Sequence, residues 1–298
     1  MNLTVPHLKI WLIVFSFGLI FAIGFYKYSS GRYGIQYKTA IEIEKLIKNN
    51  CASNKDTVSV IIVGSSLTLN AFGDNFDIST ELTKQLGKPI KGLKINLYAL
   101  TMDKASDLSL FQSIYKYPPD VLFIESRLFV EFIKNPKKIP FHLTYSMAFL
   151  VGKFKKIIGN SEVDNSINSL LNPELLNDYF TTKTDQNLLN LLLKRERRVR
   201  SFTENKAINN TFDQLNRKKK KVIMLGFPNS ETVNKVFDKT ELEFVKLAQE
   251  YQKAYNVTYW SIKTVPFTTN LFTDGSHLNY QGAKVYQKWF MEKVKATL

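Results

Sequence analysis

The hydrophobic pattern of the chain changes character twice along its 298 residues. It opens with an uncharged apolar run, Ile10–Tyr26, which reads WLIVFSFGLIFAIGFY after its first isoleucine. A second pattern covers residues 34–50, where Ile35, Ala40, Ile41, Ile43, Leu46 and Ile47 recur at near-helical spacing. This predicts a helix that serves as a stalk or as the first helix of a domain. From residue 58 the pattern becomes short, continuous, β-rich runs: Val58–Val63, Lys94–Leu97, Val121–Ile124, Val222–Leu225 and Val257–Ile262. Helical stretches separate them at Ser79–Leu86, Asp103–Tyr115 and Thr240–Tyr255. Apolar strands that alternate with helices imply a parallel sheet covered on both faces. The expected fold class is therefore α/β, a three-layer α/β/α sandwich around five parallel strands. The strands at 58–63 and 121–124 are expected at its centre.

The domain plan that follows is an anchor at 1–32, a stalk or first helix at 33–57, and one α/β domain at 58–298. Between the third and fourth strands, about 131–217 is far longer than an ordinary crossover and is expected to be a helical insertion. It holds the apolar segment Ile139–Val151 and the basic cluster Lys194, Arg195, Arg197, Arg198 and Arg200. A subdomain with its own core and a face turned to a membrane or partner both fit this composition.

The first run is near the lower limit of roughly 17 residues for a membrane-spanning helix. A cleaved signal peptide would place a small-x-small site after the apolar run, whereas Ala22 and Gly24 lie within it, before Phe25 and Tyr26. A retained single-pass anchor is the expectation, with Trp11, Tyr26 and Tyr28 at the interfaces. Lys9 precedes the span and Lys27, Arg32 and Lys38 follow it, a charge balance that favours a cytoplasmic domain.

Forty-one Lys and Arg against 26 Asp and Glu leave a net charge of +15, which suits anionic headgroups, an anionic polymer or nucleic acid. Nucleic acid is disfavoured, because the basic residues form scattered short runs without a recognised binding motif. One cysteine, Cys51, precludes an internal disulfide. One cysteine and three histidines without ligand spacing imply no metal site, and no cofactor is indicated.

Two segments carry chemistry. The first strand runs directly into Gly64-Ser65-Ser66, which sets a hydroxyl residue at the carboxyl edge of the sheet, where ligands of such sheets bind. Near the C-terminus, Asp274-x-x-His277 lies in a loop with Gly275, before an amphipathic helix whose apolar face is Ala283, Tyr286, Trp289, Phe290 and Val294. A serine hydroxyl needs a base to remove its proton, and an imidazole acts best when a carboxylate fixes its tautomer. Ser66, His277 and Asp274 are thus the candidate nucleophile, base and orienting acid. His7 precedes the anchor, and His142 sits among apolar neighbours in the insertion. Asn279 reads as the cap of the last helix.

These two segments, opening and closing an alternating β/α chain, resemble the SGNH (GDSL-like) hydrolase family. Ser66 matches its nucleophile block, with Ser65 where Asp is commonest, and Asp274 and His277 match its final Asp-x-x-His block. The resemblance implies a flavodoxin-like fold, and Ser65, Asn96, Thr101, Glu125 and Arg127 are the candidates for binding the oxyanion or the substrate, with a structural ion pair the alternative role for Glu125 and Arg127. Two departures stand out: Asn96–Thr101 (NLYALT) has no glycine, and the third strand ends in Glu125-Ser126-Arg127 without the family's Asn.

With the anchor, the Gly-Ser-Ser block is similar to the membrane-anchored proteins of bacterial envelope O-acylation. That subgroup implies a domain outside the cytoplasmic membrane, in conflict with the charge count. It also implies a multi-spanning membrane-bound O-acyltransferase as partner and an anionic envelope polymer or glycan as acceptor. An anchored esterase, deacetylase or lysophospholipase would use the same triad, and an inactive scaffolding subunit would keep the fold.

Overall fold

A computed structural model describes residues 8–30, 35–52, 56–73, 76–97, 100–132, 197–263 and 265–298. Five parallel strands form the sheet: β1 (Val58–Gly64), β2 (Ile90–Asn96), β3 (Val121–Glu125), β6 (Lys221–Leu225) and β7 (Thr258–Trp260), in the order β2-β1-β3-β6-β7. The two runs expected at the centre, β1 and β3, are hydrogen-bonded neighbours there. A separate antiparallel ribbon pairs β4 (Val130–Phe132) with β5 (Arg197–Val199).

Alternation along each strand explains the layers. Ile61, Val63, Leu122, Ile124, Val222 and Met224 point to one face and pack against five helices: α2 (Ile35–Cys51), α5 (Met102–Asp107), α6 (Leu110–Lys116), α7 (Lys206–Arg217) and α8 (Glu231–Tyr255). Val60, Ile62, Phe123, Ile223 and Leu225 point to the other, against α3 (Ser66–Phe72), α4 (Ile78–Leu86) and α9 (Tyr280–Thr297). Because both faces are covered, β1 is buried over almost its whole length, as its unbroken apolar run requires. Ala283, Tyr286, Trp289, Phe290 and Val294 of α9 are all buried, and Phe290 meets Phe72 and Phe123 edge-on.

Several boundaries differ from those the pattern suggests. The pattern left α2 as a stalk or a first helix, and its Ile43 and Ile47 are fully buried in the first core. Strand β2 begins at Ile90, four residues before its apolar signal, because it is an edge strand that tolerates exposed Lys91. The stretch 103–115 is two helices, α5 (Met102–Asp107) and α6, broken where Ser109 adopts a left-handed φ of 54°. Helix α7, which the sequence places in the insertion, buries Ile208, Phe212 and Leu215 in the first core. Residues 133–196, including Ile139–Val151, Lys194 and Arg195, lie outside the described residues.

Helix α1 (Leu8–Ser30) contains Lys9–Lys27, the one segment among the described residues long and apolar enough to cross a membrane. Its Phe15, Phe17 and Phe21 are exposed.

Candidate active site

The site lies at the carboxyl edge of the sheet. β1 ends at Gly64, the chain turns through Ser65, and α3 starts at Ser66. Ser65 caps that helix: its backbone is extended, and its hydroxyl accepts from Leu67 N–H at 3.3 Å. Gly64 is obligatory for steric reasons. A Cβ there would stand 1.8 Å from Thr68 Oγ1 and 2.7 Å from Glu125 Oε2.

The second half of the site is the loop between Phe272 and Leu278, closed by a bridge between those two residues. Within it Thr273 N–H donates to the His277 carbonyl at 2.8 Å. Asp274 Oδ1 accepts from the N–H groups of Ser276 (3.0 Å) and His277 (2.8 Å), leaving Oδ2 for the imidazole. Three contacts fasten the loop to the domain. Ser230 N–H donates to the Gly275 carbonyl, Asn70 Nδ2 donates to the Leu278 carbonyl, and the Asn279 side chain caps α9.

The two halves meet. Ser66 Oγ is 2.8 Å from His277 Nε2, and His277 Nδ1 is 2.7 Å from Asp274 Oδ2. Burial pushes the Asp274 carboxyl up, but hydrogen bonds from the His277 ring and from the two N–H groups outweigh it, so the carboxyl sits below its ordinary range. With Asp274 ionised, Nδ1 is the protonated nitrogen, and Nε2 presents a lone pair to the Ser66 hydroxyl. Residues 211 positions apart in sequence are thus one hydrogen-bonded relay, arranged as proton transfer from serine to imidazole requires.

The remaining sequence candidates scatter around this centre. Ser65 abuts Ser66. Asn96, in register with Gly64 on the neighbouring strand, keeps a buried Oδ1 without a partner among the described residues. The Thr101 hydroxyl is occupied in capping α5, accepting from Lys104 N–H. Arg127 donates to Asn229 Oδ1 at 2.5 Å; burial lowers its pKa, opposed by Glu241 and Glu125. Glu125 is completely buried, with both oxygens bonded to protein donors, so it presents no free atom to a substrate. Tyr98 and Ala99 lie outside the described residues, as do His7 and His142. Asn70 and Ser230 carried no sequence signal, since their contacts join segments far apart in the chain. Arg198 and Arg200 of the basic cluster are spent on ion pairs with Glu131, Glu204 and Asp103. Among the described residues, no three His, Cys, Asp or Glu side chains come together as a metal ion would need.

No family model and no curated protein matches the sequence. Solved structures are similar at low identity. A family 3 carbohydrate esterase from Clostridium thermocellum is 14% identical with a TM-score of 0.41, over 80% of this chain and 98% of that one. TesA is 12% identical with a TM-score of 0.41, over 80% and 99%. Est24, a carbohydrate acetylesterase from Sinorhizobium meliloti, is 13% identical with a TM-score of 0.34, over 82% and 100%. Likeness at this level leaves the chemistry to the geometry of the site itself.

Proposed function

We propose that this chain is a membrane-anchored serine acyltransferase of the SGNH type, which moves an acyl group through Ser66 onto a hydroxyl of an envelope glycan. The observation that carries the reading is the Ser66–His277–Asp274 relay at the carboxyl edge of a parallel sheet. In the first half-reaction His277 Nε2 takes the Ser66 proton as Oγ attacks the acyl carbonyl. His277 then returns that proton to the departing alcohol, leaving an ester on Ser66. In the second half, Nε2 takes the proton of the acceptor hydroxyl, whose oxygen attacks the ester, and Ser66 recovers the proton as it leaves. Asp274 stays ionised and stabilises the imidazolium in both halves.

α1 supports the anchor, and the net charge of +15 suits an anionic polymer or lipid surface. In this reading the acyl ester is handed over by a multi-spanning membrane-bound O-acyltransferase, with which the departing alcohol remains, and the domain lies outside the cytoplasmic membrane. The charges flanking α1 are too few to outweigh that requirement, since a folded domain crosses largely regardless of its own charge. External protease added to intact spheroplasts is expected to remove the domain. Protection of the domain while outer-facing controls are cut would abolish the envelope reading and leave a cytoplasmic esterase.

A hydrolytic reading has one observation in its favour: the His277 side chain keeps 29% of its exposure, so water reaches the base. Incubation with an activated acetyl ester and a soluble glycan separates the two. Acetylated glycan in excess over free acetate is the expected product, and acetate alone would identify an esterase.

A further inference from the structure

Glu125 has no part in the relay, yet both of its oxygens are bonded to the segment that carries Ser66. It ends β3, an otherwise apolar strand, and is 0% exposed. Oε2 accepts from Ser65 N–H and from Thr68 Oγ1, each at 2.6 Å, and Oε1 accepts from Ser65 Oγ at 2.6 Å. Burying a carboxylate is costly unless hydrogen bonds replace its water. Here every donor comes from the turn and first helical turn that carry Ser66. Thr68 is itself 0% exposed, and Gly64 leaves the space that Oε2 occupies. The carboxylate thus grips the residue before the nucleophile at two atoms and the residue two after it at one.

We infer that Glu125 is a positioning residue: through Ser65 and Thr68 it fixes the start of α3 so that Ser66 Oγ stays in line with His277 Nε2. It touches no substrate. The inference rests on the proposed role of Ser66 as nucleophile, and it assigns Glu125 a task other than substrate binding. Glutamine can reproduce the grip. Its Oε1 can accept from Ser65 N–H and Thr68 Oγ1, while its Nε2 donates to Ser65 Oγ, which can accept as well as donate. Alanine leaves three buried donors without a partner.

The test compares rates of Ser66 labelling by a fluorophosphonate, together with kcat and KM for an activated acetyl ester, at a temperature where each variant is folded. Glu125→Ala is expected to slow labelling by about 100-fold, the scale of a 1 Å misplacement, and to lower kcat with KM unchanged. Glu125→Gln is expected to recover most of that loss. Should Glu125→Ala fail to fold, Ser65→Ala and Thr68→Val remove one donor each and are expected to give smaller losses of the same kind. A folded Glu125→Ala that labels at the normal rate overturns the inference. So does a Glu125→Gln as slow as the alanine variant, or an effect confined to KM, which would mark a substrate-binding carboxylate. In the Thr68→Val and Ser65→Ala arm, normal labelling by both overturns it. Failure of the unmodified protein to label at Ser66 is a different result, and removes the proposed function together with this inference.

Discussion

Replacing Gly64 by alanine puts one methyl group where the structure has no room. The new Cβ would lie 2.4 Å from Thr68 Cβ, whereas real Cβ contacts essentially never fall under 3.0 Å and ordinary contact begins at 3.4 Å. Thr68 cannot rotate out of the way, because its own Cβ is fixed to the backbone and its hydroxyl is bound to Glu125. Relief requires the first turn of α3 to shift by about 1 Å, carrying Ser66 with it, a displacement that can cost 10²-fold in rate. Overpacking of this kind costs about 1–3 kcal/mol, and losing a hydrogen bond to a carboxylate about 1.5–3 kcal/mol more. A total of roughly 2.5–6 kcal/mol lowers Tm by roughly 5–24 °C for a domain of this size. Differential scanning calorimetry and Ser66 labelling on the same sample check both effects. The Cβ overlap should persist in a Thr68→Ala background, which loses the hydroxyl and the γ-methyl but keeps the Thr68 Cβ. A Gly64→Ala protein with unchanged Tm and unchanged Ser66 reactivity would refute the packing described for this turn.

Other outcomes follow from the site. Asp274→Asn removes the charge that fixes the His277 tautomer, and kcat for an activated ester should fall by about 10⁴-fold; a rate near that of the unmodified protein would remove Asp274 from the relay. The same carboxyl sits below its ordinary range when folded, so its contribution to stability is full above the unfolded value of about 3.9 and is lost as pH drops through the lower folded value. The Tm gap between the unmodified protein and Asp274→Asn should therefore narrow below about pH 4, and a gap that stays constant down to strong acid would contradict that sign. Tyr286 donates from a fully buried hydroxyl to the Gly226 carbonyl at 3.0 Å. Tyr286→Phe should cost about 1 kcal/mol by chemical denaturation; no measurable loss would mean that water or another donor replaces the bond.

The fold was legible where burial is two-sided. The runs at β1, β3 and β6 are continuous and apolar because each lies inside the sheet with helices on both faces. Edge strands carried less signal. β2 includes an exposed Lys91, a Gly92 packed under Ile78, and a Lys94 whose ammonium donates to the Gly73 and Phe76 carbonyls. The ribbon of β4 and β5 left no period-two pattern, because it is three residues per strand and is tied by Glu131 to Arg198 and Arg200. Helix α7 was hidden among the basic residues around it, although its Ile208, Phe212 and Leu215 recur at helical spacing. In the site, Asp274 and His277 could be read together because a single loop holds both. Glu125 could not be read the same way: its partners Ser65 and Thr68 are about sixty residues away, and only the parallel pairing of β1 with β3 brings them into reach.

The proposed chemistry requires Ser66 to form a covalent ester during turnover. Rapid acid quenching during reaction with an activated acetyl ester, followed by peptide mass spectrometry, tests it directly. One acetyl group is expected on the peptide that carries Ser66, absent from Ser66→Ala and accumulating when Asp274→Asn slows the second half-reaction more than the first. Turnover of the ester with no acetyl group on Ser66, or with equal acetylation of the Ser66→Ala protein, would contradict it.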